Sequence, residues 1–281
     1  MPIRWLPYAL IAPAALFLGV LFVIPLVQTS ALAFQVHGAW ALGNFTRMTG
    51  DLNFADALQN TFALVLVAVP VQLCLAMGMA MMLRHLQRGR AIVLWVWSIP
   101  LGISDLAAGL VWLTILTDQG YLNSVLFHLG IIAAPEGWLT YETPFALFMA
   151  VAIAEIWRAT AIVLLILVAG VQMLPKEYAE AAAVFGASPW QAFTRVTLPL
   201  LKPSIQSALI LRTVLAFEAF AVVMALGGRN FPVLVSEAYS WKHFNQDTGV
   251  AAAYALVIMA ISVAATLVFL RLLRTPAEQQ P

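Results

Sequence analysis

Five charged side chains stand inside long apolar runs: Asp105, Glu155, Arg158, Arg212 and Glu218. A charge at membrane depth is costly unless it is paired, hydrated or used by a substrate. Such residues therefore mark either structural ion pairs or a transport path. Asp105 could line a path and accept hydrogen bonds from substrate hydroxyls, or it could pair with Arg158 or Arg212, or sit near the outer rim. Glu155 and Arg158 are three residues apart and share a helix face, so they can neutralise each other. Arg212 and Glu218 are six apart, on different faces, and must find partners on other helices or in water. Thr213, Phe217, Phe220 and Met224 fall on one face of a continuous helix. That stripe could line a path or simply pack.

Little else in the chain points to chemistry. There is no Gly-rich nucleotide loop, no metal-ligand spacing and no nucleophile motif. His37, His85, His128 and His243 are scattered. No catalytic residue, no metal and no cofactor is expected in this chain, and it does not read as an enzyme. Cys74 is the single cysteine, so no internal disulfide is expected.

The elements that must position these charges follow from composition. The 281 residues are 63% hydrophobic and 10% charged, against about 25% charged in soluble domains. This is the composition of a multi-pass, all-α membrane protein. The net charge of +1 argues against nucleic-acid binding. A spanning helix needs about 20 mostly apolar residues. Six segments qualify: roughly Tyr8–Phe34, Leu58–Leu83, Ala91–Thr117, Phe145–Val171, Ser204–Leu226 and Val250–Leu273. The run from Trp5 to Phe34 is too long for a signal-peptide core and reads as an uncleaved first span. The polar tail after Arg274 reads as disordered. The whole of 1–281 is expected to form a single transmembrane domain.

Loop charge orients it. The N-terminus, the second and fourth loops and the C-terminus carry Arg4, Arg84, Arg88, Arg90, Lys176, Arg195, Lys202, Arg271 and Arg274. The other loops carry only Arg47, Arg229 and Lys242. The positive-inside rule then puts both termini and the fourth loop in the cytoplasm.

That fourth loop, about 174–203, is the one long polar insertion. Pro175 suits a helix start, Glu177 and Glu180 favour the positive end of its dipole, and Gly186 suits its stop. Ser188-Pro189-Trp190-Gln191 reads as a second helix start with a capping box. A short helix, a sharp turn and another helix are predicted. On periodicity alone this is equally an amphipathic connector on the membrane surface.

Within it, Glu180-Ala181-Ala182 is followed after three residues by Gly186, after nine more by Val196, and then by Leu198-Pro199. The pattern resembles the EAA loop of ATP-binding-cassette (ABC) importer permeases, with Val196 in place of the family's Ile. Further stretches resemble the sugar-importing branch of that family, of the maltose, trehalose and glycerol-phosphate type. They include Asn44-Phe45, Asn60-Thr61, Pro100 with Gly109-Leu110 and Trp112, Ile156-Trp157-Arg158 with Thr160, and Arg212-Thr213 with Phe217 and Phe220. Ala221 stands where the family often has Asp.

The resemblance implies a type I ABC importer permease fold with six transmembrane helices in a bacterial or archaeal inner membrane. It implies ATPase coupling through Glu180, Ala181, Ala182, Gly186, Leu198 and Pro199. A substrate path would involve Asp105, Trp112, Glu155, Arg158, Thr213, Phe217, Glu218 and Phe220. Implied partners are a second homologous permease chain, two copies of a cytoplasmic ABC ATPase that bind ATP and Mg, an external substrate-binding protein, and membrane lipid. Tyr239, Trp241 and Phe244 could meet the binding protein or anchor at the interface. The implied cargo is a carbohydrate, with glycerol, another polyol or glycerol phosphate as alternatives. An ion-coupled secondary transporter using Asp105, Glu155 and Glu218 is the reading from a different class. It would commonly show inverted repeats, and none is visible here.

Overall fold

The computed structural model describes residues 6–86 and 88–273. Arg4 and the tail from Arg274 onward lie outside the described residues. Four helices among these are long and apolar enough to cross a membrane: α1 (Tyr8–Ala33), α3 (Phe54–His85), α7 (Pro144–Met173) and α13 (Thr248–Leu272). The other two expected spans are not straight rods. The third is a pair, α4 (Arg90–Ser98) and α5 (Asp105–Leu116), and the segments either side of the break meet at 96°. The fifth is α10 (Lys202–Phe217), which meets the preceding α9 (Pro189–Leu200) at 67°. Counting each bent pair as one span gives six.

Proline explains most of these departures. Pro100 stands in a 3₁₀ turn, Ile99–Gly102, that ends α4. Ser104 then caps α5, its Oγ accepting from the Ala107 amide at 3.2 Å. Pro25 and Pro199 lack the N–H that would close an ordinary helical turn. In each case the five residues just upstream widen to a π turn, Gly19–Val23 and Phe193–Thr197.

The expected straight helix over Ser204–Leu226 is a second difference. α10 ends at Phe217, Phe220 leaves helical geometry, and a short α11 (Ala221–Leu226) follows. Thr213, Phe217, Phe220 and Met224 therefore do not form one stripe, because the shared 3.6-residue period is interrupted at 218–220.

The contacts divide the chain into two compact units. One comprises the residues up to Ala55 with Leu234–Met259. It holds all of α1, which is exposed along nearly its whole length. A small antiparallel hairpin follows, β1 (Gln35–Val36) and β2 (Ala39–Trp40). Its turn, His37-Gly38, has positive φ at both positions, as a tight two-residue hairpin demands. The Asn44 amide, on α2 (Gly43–Thr49), donates to the carbonyls of Leu32, Ala33 and Gln35 at 2.9–3.1 Å. Asp51 accepts from Trp241, on α12 (Leu234–His243), and from the Tyr254 hydroxyl.

Among the described residues, the other unit, Asp56–Val233 with 260–273, contains two apolar cores. The first gathers Leu64 of α3, Ala108 of α5, Leu147 to Ala154 of α7, and Val222 to Leu226 of α11. The second gathers Ala76 to Leu83 of α3, Val163 to Val171 of α7, Leu201 at the cap of α10, and Ile205 and Ala208 of α10. Along α3, α7 and α10 alike, the stretch between the two cores carries buried polar residues.

Candidate functional site

That polar layer is an ion network. Glu155 sits near the middle of the 30-residue α7. Its Oε1 accepts from Arg212 Nη2 of α10 at 2.6 Å and from Arg158 Nη2 at 3.0 Å, and its Oε2 accepts from Arg158 Nε at 3.3 Å. Arg158 Nη1 donates to Asp105 Oδ1 at 2.7 Å. Two guanidiniums thus face two carboxylates, and the cluster is neutral. Of the partners open to Asp105 by sequence, the one found is Arg158. Glu155 and Arg212 are each 1% exposed, whereas the Asp105 side chain is 53% exposed. One end of the network is sealed in packing and the other is open.

Gln72 completes it and was not singled out by sequence. Its Oε1 accepts from Arg212 Nε at 2.6 Å, and its Nε2 donates to the Glu155 carbonyl at 2.9 Å. The signal available was a lone buried amide in the apolar run of α3, two residues after Pro70. Arg212 Nη1, Thr213 Oγ1 and Trp112 Nε1 are buried without a hydrogen-bond partner among the described residues. All three belong to helices packed against α7 or beside it.

The other candidate path residues divide by burial. Phe217 is buried, edge-to-face with Phe62 at 5.6 Å. Trp112 is half-buried and meets Trp157 edge-to-face at 6.0 Å. Glu218 is exposed, at the residue that ends α10. Asp105 is the first residue of α5. The two exposed carboxylates therefore sit at two of the places where a span is interrupted, just after the break that precedes α5 and at the break that follows α10. Non-helical backbone at membrane depth occurs only where protein buries it or a water-filled cavity receives it.

The fourth loop has the predicted form. α8 (Lys176–Val184) begins with Pro175 as its cap, one position earlier than a first-turn proline. Gly186 then takes φ +76°, the left-handed geometry that suits glycine at a helix end. Ser188 and Gln191 form the reciprocal capping box. Glu180, Ala181 and Gly186 are exposed, Ala182 and Leu198 half-buried, and Pro199 exposed. Phe185 is 90% and Trp190 71% exposed. Two large aromatic side chains flanking the turn are thus uncovered in the isolated chain.

The family described as "Binding-protein-dependent transport system inner membrane component" matches residues 53–275. The chain belongs to that family. This permease is 32% identical to the sulfoquinovosyl glycerol transport system permease protein SmoG of Agrobacterium fabrum, over 97% of this chain and 91% of that protein. It is 28% identical to the trehalose/maltose transport system permease protein MalF of Thermococcus litoralis, over 95% and 92%. It is 32% identical to the trehalose transport system permease protein SugA of Mycobacterium tuberculosis, over 96% and 89%. The fold is that of a chain in the crystal structure of a bacterial ABC transporter involved in the import of the acidic polysaccharide alginate. The TM-score is 0.82 at 21% identity, covering 97% of this chain and 96% of that one. The same fold recurs, at a TM-score of 0.81, in that transporter's complex with its alginate pentasaccharide-bound periplasmic protein.

Proposed function

We propose that this permease is one of two membrane chains of an ATP-driven carbohydrate importer working by alternating access. The single observation that carries the coupling part is the capped helix–turn–helix at 176–200, with Gly186 at φ +76° and Phe185 and Trp190 uncovered beside it. Exposed apolar patches of this kind mark interaction sites. Two copies of a cytoplasmic ATPase would receive this loop and its counterpart, with Glu180 making polar contacts and Leu198-Pro199 passing motion to α10. Hydrolysis of ATP with Mg is assigned to those ATPases. An external binding protein delivers the cargo, and both termini of this chain are cytoplasmic. Carbohydrate is favoured because the relatives above are named for glycosides and disaccharides.

Within the path, Asp105 and Glu218 are assigned the contact with substrate hydroxyls, because each is exposed at a helix break. Trp112 and Phe220 would offer ring faces beside them. Glu155, Arg158, Thr213 and Phe217 are assigned a supporting role. Glu155 is held by two guanidiniums, which suits a fixed charge pair better than an exchanging proton or sodium site.

The test is to purify the tagged chain from its native membrane in mild detergent and identify its companions by mass spectrometry. A second permease and an ATPase are expected, with uptake of sugar that requires ATP. A chain that emerges alone and drives ion-dependent uptake after reconstitution would overturn the proposal.

A further inference from the structure

A second concave surface lies between α3 and α10. A groove of about 850 Å³ opens there, within the size range of small-molecule pockets, roughly 300–1,000 Å³. One wall is α3 from Leu73 to Met81, and the other is α10 from Lys202 to Leu209. Trp190 and Phe193 of the coupling segment close one side, with Leu273 beyond α13.

Three features define its occupant. First, the lining is apolar except for Lys202, which is exposed and forms no ion pair among the described residues. Second, the walls run about 12 Å along α3 at 1.5 Å per residue, most of the half-thickness of a hydrocarbon core of about 30 Å. The groove is thus as long as one leaflet is deep. Third, the cation stands at the end of the groove nearest other basic side chains. α3 runs toward Met81 and then Arg84, Arg88 and Arg90, while α10 starts at Lys202 and runs away from Arg195. A Lys at one end with apolar side chains along the rest is the arrangement that meets a charged headgroup and its chain.

We infer that this groove holds one acyl chain of an anionic phospholipid, with its phosphate against Lys202. The chain would lie against Trp190, Phe193, Leu198 and Pro199, the second half of the coupling segment. A bound lipid would therefore brace the element that an ATPase is proposed to move. The inference concerns a site distinct from the substrate path and does not depend on which solute is carried.

Cys74, the only cysteine, lines the groove and reports on it without mutagenesis. The intact complex is placed in nanodiscs of phosphatidylcholine alone or mixed with phosphatidylglycerol. Alkylation of Cys74 by an apolar maleimide is followed on its own peptide by mass spectrometry. Phosphatidylglycerol is expected to slow the reaction about five-fold, the worth of one cation near an anionic headgroup. Lys202→Glu, or the milder Lys202→Gln, should abolish the difference, and Arg90→Glu, at a basic residue that does not line the groove, should keep it. Gly78 lines the groove, and a side chain placed on it would meet nothing within 4 Å. Gly78→Phe should fill the space and remove the phospholipid that native mass spectrometry is expected to detect on wild type. Equal rates in both lipids would overturn the inference. So would protection that persists in lipid-free detergent with Cys74 cross-linking to another chain, which would assign the groove to a partner helix.

Discussion

Arg212 and Glu155 face each other at 2.6 Å from two different helices, each 1% exposed. Removing one member of a buried pair strands the other charge, at about 3–5 kcal/mol. Glu155→Gln should therefore sharply lower the thermal unfolding temperature of the detergent-solubilised permease. Glu155→Gln combined with Arg212→Gln should recover part of the loss, since neither charge is then orphaned. A double variant as unstable as the sum of the singles would mean that the two residues do not interact.

Asp105 occupies the open end of the same network, so its replacement should act on transport and spare the fold. Exposed ion pairs contribute about 0–1 kcal/mol. A hydrogen bond to a charged acceptor exceeds a neutral one by roughly 1 kcal/mol, close to five-fold in affinity. Asp105→Asn is expected to raise the KM for uptake about five-fold while leaving the unfolding temperature within a few degrees. Uptake with an unchanged KM would remove Asp105 from the path and leave it as a counter-ion of Arg158.

The turn of the coupling loop makes a separate demand. Gly186 stands at φ +76° with open space around its Cα, so a side chain there is opposed by backbone strain, about 1–2 kcal/mol for an L-residue, and not by a clash. Gly186→Asp should leave the chain in the membrane at normal abundance and abolish substrate-stimulated ATP hydrolysis by the complex. Ser188→Ala, which removes a cap worth about 1 kcal/mol, should weaken coupling less. Normal stimulation in Gly186→Asp would argue that the loop is a surface connector.

The form of the fourth loop was legible in the sequence because its signals are local. The capping residues and Gly186 act within a few positions, and the structure repeats them almost residue for residue. The Glu155–Arg158 pair was legible for the same reason, through its three-residue spacing. Gln72 was not, because its partners lie 83 and 140 positions away in the chain and no periodicity encodes them. The break at 218–220 was hidden too. No proline or glycine marks it, and the apolar run continues across Phe220, so hydropathy predicts one helix where packing produces two.

Asp247 gives a pH-dependent signature at the other compact unit. Burial alone would raise its carboxyl, but backbone N–H groups of Val250 and Gly249 and the Arg47 guanidinium together hold it below its ordinary value of 3.8. A carboxylate with a depressed folded pKa contributes stability that is fully present above its unfolded value and fades as pH falls through the folded one. The contribution should thus be intact at neutral pH and begin to fade only below about pH 4. Arg47 is half exposed, so the effect is local and small. Hydrogen exchange at the amides of Gly249 and Val250 should quicken, relative to neighbouring residues, as pH drops through that window. In Asp247→Asn the relative protection of these two amides should be weaker at neutral pH and no longer change on acidification. Identical pH profiles in wild type and variant would show that Asp247 does not hold the start of α13.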